Sequence, residues 1–351
     1  MLTYFFNEIH DFRYGKLFNN ILKYNKNWKL DNISDVVILS DKNSKSMIQL
    51  YIDGENNFIL KHKLAEYYNL LDYIPMTFVI KNSIVLENIN KLFDKNYDNI
   101  LYLKPSDGRI GAGKDIILLD KKLAKKKYIE QITKKHKNWV VQKEIINPLL
   151  FQNKKFAIRF FIVVIHNKKK ICLYSGKICK INVCENQYIK GSIDPKVHIS
   201  HNENETKDDN QIKYGTINGI YNINDDRFDF DGMKILMKKM EFISFDLIIK
   251  NSNNFYSNNN SGYRIYGVDF TINNKFNPFL LEINDNPVLL FGSEKLIKKI
   301  SIPLLTDVIY LIENMFDGVL RENFVSGKAR KNKLKFLNFI TSFYIKKNHE
   351  I

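Results

Sequence analysis

The segment F-L-L-E-I-N-D-N-P at residues 279–287 constrains the fold of this chain more than any other. Glu282 and Asn284 lie two positions apart in an apolar run, so on a strand their side chains leave the same face. Asp269 belongs to a second apolar run, Y-G-V-D-F, and the polar stretch between the runs predicts a hairpin that brings the three side chains together. An isolated E-x-N pair is also typical of a solvated edge strand. Mg²⁺ is usually held by one or two carboxylates plus substrate phosphates, so the whole pattern predicts a magnesium site that serves a nucleotide.

The composition indicates a globular enzyme of two or three lobes rather than a disordered chain. The 351 residues are 44% hydrophobic and 13% aromatic, which supplies enough apolar surface for a large core. The formal net charge of +16 favours acidic partners, namely nucleic acid, an anionic membrane or an acidic polypeptide, without deciding among them.

The cysteines and the apolar runs predict a cytoplasmic location. Cys172, Cys179 and Cys184 are odd in number and their spacing matches no common zinc pattern, so we expect reduced packing residues. The N-terminal segment lacks the charged and apolar regions of a signal peptide, and no apolar run reaches the length of a bilayer. We therefore expect a soluble, unsecreted protein.

The pattern of apolar and polar residues divides the chain into three predicted lobes. Residues 1–75 form a small first lobe, residues 76–142 a central lobe with a glycine-rich turn, and residues 143–351 a third lobe with the metal hairpin and a basic tail. We expect the tail to dock on the third lobe rather than on a membrane. Strands are predicted at 74–80, 99–104, 139–142, 156–165 and 171–179. Helices are predicted at 61–71, 83–93, 121–137, 233–240 and 302–315, and the helix at 233–240 is expected to continue to 249. Residues 328–347 are predicted to form a basic amphipathic helix.

A strand followed by a glycine-rich loop predicts a phosphate-binding segment in the central lobe. Lys104 ends the strand and offers a point charge to a phosphate. Gly111, Gly113 and Lys114 follow in a loop whose backbone can approach phosphates closely. The pattern is neither the P-loop nor the dinucleotide fingerprint, and glycine-rich turns with basic neighbours also occur without a ligand.

The segment W-V-V-Q-K-E-I at residues 139–145 predicts a hinge against which adenine lies. Gln142, Lys143 and Ile145 follow an apolar strand that breaks into a polar linker, where backbone groups are open to hydrogen bonding. An ordinary strand end explains this segment equally well when it is taken alone.

The next predicted strand, K-K-F-A-I-R-F, carries two cationic side chains on one face and apolar side chains on the other. Lys155, Ala157 and Arg159 share one face, and the apolar residues between them share the other. The strand therefore predicts two cations that line a cleft above a packed core, with Arg159 placed against a transferring phosphoryl group.

Six segments in this order resemble the tubulin–tyrosine ligase-like family of ATP-grasp enzymes. The resemblance extends over residues 60–320 and implies an α/β (α+β) fold with N-terminal, central and C-terminal lobes, with ATP held between the central and C-terminal lobes. The segments are K-P-S-D-G-R-I-G-A-G-K-D-I (104–116), W-V-V-Q-K-E-I-I-N-P-L-L (139–150), K-F-A-I-R (155–159), V-H-I-S-H-N (197–202), Y-G-V-D-F (266–270) and F-L-L-E-I-N-D-N-P (279–287).

The resemblance also implies roles for individual residues. In the family reaction, ATP phosphorylates a peptide carboxylate and an amino acid's amine then attacks the acyl phosphate, which forms an amide or isopeptide bond. Mg²⁺ is expected at Asp269, Glu282 and Asn284, and Lys155 and Arg159 are the expected catalytic cations at the γ-phosphate and the acyl phosphate. The expected ATP contacts are Lys104, Gly111, Gly113, Lys114, Gln142, Lys143 and Ile145.

Several substrate-side positions depart from the family pattern. The family has an aspartate where this chain has Ala157, an arginine where it has Lys180, and a threonine–asparagine pair where it has Ser200 and His201. A lysine cannot reproduce the bidentate grip of arginine on a carboxylate. Asp115 replaces a customary glycine in the phosphate loop. The expected substrate contacts are Lys180, His198, Ser200 and Asn202, of which Asn202 either replaces the missing amide or lies in an ordinary loop.

The leading hypothesis is an ATP-dependent ligase that adds glutamate, tyrosine or glycine to an acidic polypeptide such as a tubulin tail. The second is a pseudoenzyme that binds ATP or an acidic tail without catalysis, because Ala157 and His201 depart from the pattern. A basic nucleic-acid-binding protein is disfavoured, since the basic residues form no stripe with aromatic side chains. We expect a monomer in the cytoplasm, associated with microtubules if tubulin is the acceptor, with no zinc at His198 and His201 and no membrane binding.

Overall fold

The computed structural model shows a mixed α/β fold whose described strands form two sheets. The predicted positions of Gly111, Gly113, Lys114, His201 and Asn202, and the predicted helix at 83–93, lie outside the described residues. The structure describes residues 2–6, 15–26, 28–30, 36–39, 48–49, 52, 54–82, 99–106, 115–167, 170–200, 212–216, 219–220, 230–255, 261–285, 287–289, 294–316 and 334–344.

The N-terminal segment contributes parallel strands to the edge of the large sheet. Strand β1 pairs with β2 and β3, β3 pairs with β4, and β4 pairs with the long strand β15 (Ser261–Ile272). The N-terminal residues are therefore part of the same sheet as the predicted metal hairpin. These elements are β1 (Leu2–Phe6), α1 (Gly15–Lys23), β2 (Trp28–Leu30), β3 (Val36–Leu39), β4 (Ile48–Gln49), α2 (Asn56–Ile59) and α3 (Lys61–Tyr68).

A separate four-stranded antiparallel sheet follows, in the order β5-β8-β6-β7. Its alternating apolar residues, among them Leu101, Leu103 and Trp139, pack against α4 to form a small core. The predicted helix at 121–137 is shorter in the structure, because a 3₁₀ turn at Thr133–Lys135 follows α4. The elements are β5 (Thr77–Lys81), β6 (Leu101–Pro105), β7 (Ile117–Leu119), α4 (Lys126–Ile132) and β8 (Asn138–Lys143).

The remaining elements complete the large sheet and cover it with helices. Strand β10 pairs with β11 and β12 on one side and with β15 on the other, and β15 and β16 form the predicted hairpin. The elements are β9 (Leu150–Phe151), β10 (Lys154–Asn167), β11 (Lys170–Gly176), β12 (Ile178–Val183), α5 (Pro195–His198), β13 (Ile212–Thr216), β14 (Gly219–Ile220), α6 (Phe230–Asn251), β15 (Ser261–Ile272), β16 (Pro278–Asp285), α7 (Glu294–Leu296), α8 (Ile302–Phe316) and β17 (Leu337–Tyr344).

The long apolar run of β10 is buried on both faces of the large sheet. Phe161 and Val163 belong to a core formed with α1 and α8, whereas Phe160 and Ile162 belong to a second core formed with α6. Because successive side chains point to opposite faces of a strand, a strand covered by helices on both faces is apolar at nearly every position. The predicted helices at 233–240, with its continuation, and at 302–315 are confirmed as α6 and α8.

The predicted basic helix at 328–347 is wrong for its described part. Residues 337–344 form β17, which pairs antiparallel with β11. The carboxylate of Asp307 on α8 accepts the backbone amides of Lys335, Phe336 and Leu337 at 2.7–3.0 Å and fixes the entry to this strand. The edge of β11 needs a partner for its backbone groups, and this requirement outweighs the helical spacing of the lysines. The prediction that the tail docks on the third lobe is confirmed for these residues.

The three cysteines are buried and form no disulfide bond, as predicted for packing residues. Burial raises the pKa of Cys172 and of Cys184 to about 12, so neither thiol forms a reactive thiolate near neutral pH. Among the described helices none combines the length and the apolar character needed to cross a membrane. The predicted strand at 171–179 is divided at Lys177 into β11 and β12. The lobe boundaries at 75 and 142 stay predictions.

A buried charge network joins the N-terminal segment to the strands of the hairpin. Glu55, just before α2, is 1% exposed and accepts hydrogen bonds from Arg264 Nε at 2.9 Å and from the Tyr266 hydroxyl at 2.6 Å. Arg264 Nη2 also bonds to Glu55 and to Asp285 Oδ2, the latter at 3.2 Å. Burial raises the pKa of Glu55, and Arg264 opposes this rise. Because buried charges need partners, the network fixes α2 against β15 and β16.

We predict that Glu55→Gln lowers the free energy of unfolding by on the order of 3 kcal/mol, because Arg264 then lacks its main counter-charge in a buried site. Denaturation with urea measures the change. Glu66→Gln is the matched control, since Glu66 pairs with Lys63 at 3.1 Å in a partly exposed site and should cost less than about 1 kcal/mol. Equal losses in the two variants would contradict the structural role of Glu55.

Candidate active site

Four charged side chains form a row across adjacent strands of the large sheet. Lys180 on β12 is opposite Arg159 on β10, Arg159 is opposite Asp269 on β15, and Asp269 is opposite Glu282 on β16. Residues directly opposite each other in antiparallel strands share a face. Two cations and two anions therefore lie side by side, and we call this set the charged row.

The centre of the charged row is a bidentate ion pair. Arg159 Nε and Nη2 donate to the two carboxylate oxygens of Asp269 at 2.8 and 2.6 Å, and both residues are buried. Burial raises the pKa of Asp269, Arg159 counteracts this effect, and the neighbouring Glu282 adds to it. Gly267 makes room for the arginine, because a Cβ at this position would lie 3.3 Å from Arg159 Cδ and 2.9 Å from Pro287 Cβ.

The predicted metal ligands converge as the sequence pattern indicates. The Asn284 side-chain amide donates to Asp269 Oδ2 at 3.1 Å and to Glu282 Oε1 at 3.0 Å, so it bridges the two carboxylates. Rotation of the amide by half a turn would present its oxygen at the same place. In the described part of the chain no three His, Cys, Asp or Glu side chains form a metal cluster. Two carboxylates and one amide fit a magnesium ion that is completed by water and phosphate oxygens rather than a closed structural site.

Glu282 also attracts two lysines from other parts of the chain. Lys61, at the start of α3, contacts Glu282 Oε2 at 3.0 Å. Burial raises the pKa of Glu282, but the charges of Lys61 and Lys104 outweigh it and hold this pKa below its usual range. Glu282 is therefore ionised at neutral pH. Sequence reasoning missed Lys61, because a lysine in an amphipathic helix gives no local sign of the strand that it will face.

Lys104 and Gln142 lie together on the inner side of the four-stranded sheet. Lys104 Nζ donates to Gln142 Oε1 at 2.6 Å, and Gln142 Nε2 donates to Thr77 Oγ1 at 3.3 Å. Burial lowers the pKa of Lys104 to about 8, although the nearby carboxylates of Glu282 and Asp269 oppose the shift. The adjoining cavity is lined by Lys61, Leu64, Ala65, Ile74, Thr77, Lys104, Val140, Gln142 and Leu281.

This cavity has the features of a nucleotide site. Apolar side chains from both sheets and from α3 supply flat walls, and Lys104 and Lys61 supply cations where the cavity approaches Glu282. Ligand sites commonly combine apolar walls with a few polar groups that fix orientation. The lining therefore suits a ligand that has both an apolar part and an anionic part.

Lys155 lies on the predicted face of β10 but is held by protein groups. Its Nζ donates to Glu144 Oε1 at 3.0 Å, to the Tyr102 hydroxyl at 2.7 Å and to His198 Nδ1 at 3.2 Å. Burial lowers the pKa of Lys155, but Tyr102 and Glu144 outweigh burial and raise this pKa above its usual value. Burial and the charge of Lys155 lower the pKa of His198 to about 3, so His198 is neutral and accepts through Nδ1. We call these residues the Lys155 cluster.

The other predicted site residues lie around these two groups. The backbone amides of Lys143 and Glu144 donate to the carbonyls of Met76 and Ile100 at 2.9 and 3.2 Å, which fixes the hinge between the sheets. Ile145 and Ser200 are half-buried next to this region. Their predicted contacts with adenine and substrate stay predictions. Asp115 lies 3.3 Å from Lys135 Nζ, so this acid of the predicted phosphate loop has a cationic partner.

Comparisons with known proteins identify the family to which this chain belongs. The sequence model of the Tubulin-tyrosine ligase family matches residues 18–318. Tubulin glycylase 3C of Tetrahymena thermophila is 25% identical over 250 residues, which cover 67% of this chain and 22% of that protein. Protein monoglycylase TTLL8 of Mus musculus is 24% identical over 54% of this chain and 24% of its own length. The probable alpha-tubulin polyglutamylase Ttll1 of Tetrahymena thermophila is 25% identical over 70% of this chain and 61% of its own length. The chain thus spans less than a quarter of the first two relatives.

We predict that Gly267→Ala lowers the free energy of unfolding by about 1–3 kcal/mol, because the added methyl group displaces Arg159 from Asp269 and presses on Pro287. Chemical denaturation measures this change. A variant within about 0.5 kcal/mol of the wild-type protein would show that the arginine does not depend on the space above Gly267.

Proposed function

Because this chain belongs to the tubulin-tyrosine ligase family, we propose that it is an ATP-dependent ligase that joins an amino acid to a polypeptide. The observation that carries this proposal is the charged row beside the cavity that contains Lys104. Lys61 and Lys104 reach the anionic end of the row from the opposite side of the cavity. Arg159, Lys61 and Lys104 thus act on the two carboxylates, and Lys180 lies next to Arg159 in the row, which suits a reaction that moves phosphate between bound substrates.

In this proposal ATP occupies the cavity between the four-stranded sheet and β16. Lys104 contacts its phosphates, Gln142, Lys143 and Ile145 hold adenine, and the loop with Gly111, Gly113 and Lys114 covers the phosphates. Asp269, Glu282 and Asn284 hold Mg²⁺, which would neutralise negative charge on the transferred phosphoryl group. The ionised carboxylate of Glu282 already accepts a hydrogen bond from the Asn284 amide in the structure, which supports this ligand set.

The reaction needs no covalent nucleophile from the protein. The γ-phosphoryl group passes from ATP to a peptide carboxylate, giving ADP and an acyl phosphate. The amine of the incoming amino acid attacks the acyl carbon, loses a proton and displaces inorganic phosphate, which leaves an amide bond. Arg159 and Lys180 lie beside the metal ligands and would orient the anionic groups of the acyl phosphate and of the amino acid.

Tubulin is the proposed acceptor, and glycine, glutamate and tyrosine are the proposed amino acids. Relatives are named as a tubulin glycylase, an alpha-tubulin polyglutamylase and a probable tubulin–tyrosine ligase. The formal charge of +16 would attract acidic tails. A cytoplasmic, microtubule-associated location follows from this proposal.

A pseudoenzyme that binds ATP without catalysis is the second candidate. One observation favours it, since Lys155 is saturated by Glu144, Tyr102 and His198 instead of facing the cavity, and Ala157 provides no acid beside it. Such a protein would bind Mg-ATP and an acidic tail and would transfer no amino acid.

We predict ATP- and Mg²⁺-dependent incorporation of one labelled amino acid, among glycine, glutamate and tyrosine, into tubulin or synthetic acidic tails. Glu282→Gln should remove this incorporation, because the neutral amide weakens the metal site. Glu294→Gln is the matched control, since Glu294 is exposed and pairs only locally with Lys298 at 2.6 Å among the described residues. This control should keep wild-type activity.

Two results would contradict the ligase. Binding of Mg-ATP that is lost in Glu282→Gln, without incorporation of any amino acid, would support the pseudoenzyme. Incorporation that persists in Glu282→Gln would show that the chemistry does not use this metal site.

We predict that Mg-ATP binding weakens as the pH rises above about 8. Lys104 in the free protein loses its proton near this pH because burial lowers its pKa, and the phosphates bind the charged form. The dissociation constant should rise by up to about tenfold per pH unit above pH 8 and stay level just below it. Lys104→Arg keeps its charge and should abolish this rise. Calorimetric titration from about pH 7 to about pH 9.5 measures this dissociation constant. A wild-type dissociation constant that does not change over this range would refute Lys104 as a phosphate contact.

A further inference from the structure

Glu144 occupies the junction between the two sheets with both carboxylate oxygens engaged. Its side chain is fully inaccessible to solvent. Oε2 accepts the backbone amide of Ile100 at 3.2 Å, just before β6 in the four-stranded sheet. Oε1 accepts Lys155 Nζ at 3.0 Å, on β10 of the large sheet. One carboxylate therefore connects the two sheets that form the walls of the cavity.

The in-strand neighbours of Lys155 explain why this carboxylate comes from the hinge. Lys155, Ala157 and Arg159 project from the same face of β10. Arg159 obtains its counter-charge from Asp269 on the adjacent strand. Ala157 offers only a methyl group, and the residue opposite it on β12 is Asn182, which is uncharged. Among the described partners of Lys155, Glu144 is the only carboxylate.

The rest of the Lys155 cluster is neutral and cannot replace Glu144. Burial raises the pKa of Tyr102 to about 12, and the pKa of His198 is about 3, so both side chains are uncharged at neutral pH. They accept hydrogen bonds from Lys155 without neutralising its charge. A buried ammonium group without a carboxylate tends to lose its proton or to turn towards solvent. The position and the charge of Lys155 thus depend on Glu144.

We propose that Glu144 is a positioning residue that fixes the Lys155 ammonium group beside the nucleotide cavity and supplies the counter-charge that Ala157, on the same face of β10, does not offer. This inference rests on the proposed function, in which ATP occupies the cavity next to Lys155. The centre of the Tyr102 ring lies 5.4 Å from Lys155 Nζ and 5.3 Å from Lys104 Nζ, so Lys155 and the cavity residue Lys104 share this neighbour. Glu144 adds a contact between the hinge and the third lobe that sets the spacing of the two cavity walls.

The test compares Mg-ATP binding to the full-length wild-type chain, to Glu144→Gln and to the double variant Glu144→Gln with Ala157→Asp, by titration calorimetry. Glutamine keeps the shape of Glu144 and removes its charge. Glu144→Gln should weaken Mg-ATP binding by about tenfold or more, which is the size of the loss found when the outer partner of a metal-ligating side chain is removed. The aspartate at position 157 shares a face with Lys155 and should restore the dissociation constant to within about threefold of the wild-type value.

Restored Mg-ATP binding in the double variant separates positioning of Lys155 from a general effect on stability. A Glu144 charge that only supported the hinge could not be replaced by an aspartate on β10. Glu130→Gln, on the partly exposed surface of α4, is the control and should bind like the wild type. If Glu144→Gln does not fold, the double variant decides, and recovery of folding together with Mg-ATP binding supports the proposal. If Glu144→Gln binds Mg-ATP as tightly as the wild type, or if the double variant binds no better than Glu144→Gln, the role of Glu144 is overturned while the proposed function stands. A wild-type chain that binds no Mg-ATP overturns the proposed function and this inference with it.

Discussion

The ion pair between Arg159 and Asp269 is the interaction on which the site depends. Both groups are buried in the middle of the large sheet, where an unpaired charge would be costly, so β10 and β15 must keep the register that places them opposite each other. The same register aligns Lys180 with Arg159 and Glu282 with Asp269. A single pairing thus determines the geometry of the whole charged row.

Contacts between charged groups also attach the other parts of the chain to this row. Glu55 binds Arg264 behind the hairpin, Lys61 binds Glu282 at its front, and Glu144 binds Lys155 at the hinge. The first two contacts join residues more than 200 positions apart in sequence, and the third joins the end of the four-stranded sheet to β10. Three ion pairs therefore hold the N-terminal segment against β15 and β16 and the four-stranded sheet against β10. The loss of any one of them should alter ligand binding as well as stability.

The sequence predicted those features that depend on local spacing. The period of two residues in a strand was sufficient to place Glu282 with Asn284 and Lys155 with Arg159 on common faces. It could not identify Lys61 or Glu144 as partners, because their positions depend on how α3 and the hinge pack against the large sheet. The tail shows the opposite failure, since its lysine spacing favours a helix while the open edge of β11 recruits residues 337–344 as a strand. Tertiary pairing outweighed local propensity there.

The most direct test of the account is a calorimetric measurement of ATP binding with and without Mg²⁺. If the charged row and Lys104 form a metal-nucleotide site, Mg²⁺ should tighten ATP binding by at least about tenfold, since Asp269 and Glu282 repel the phosphates until a cation lies between them. The same affinity with and without Mg²⁺, or no ATP binding at all, would contradict the assignment of these carboxylates.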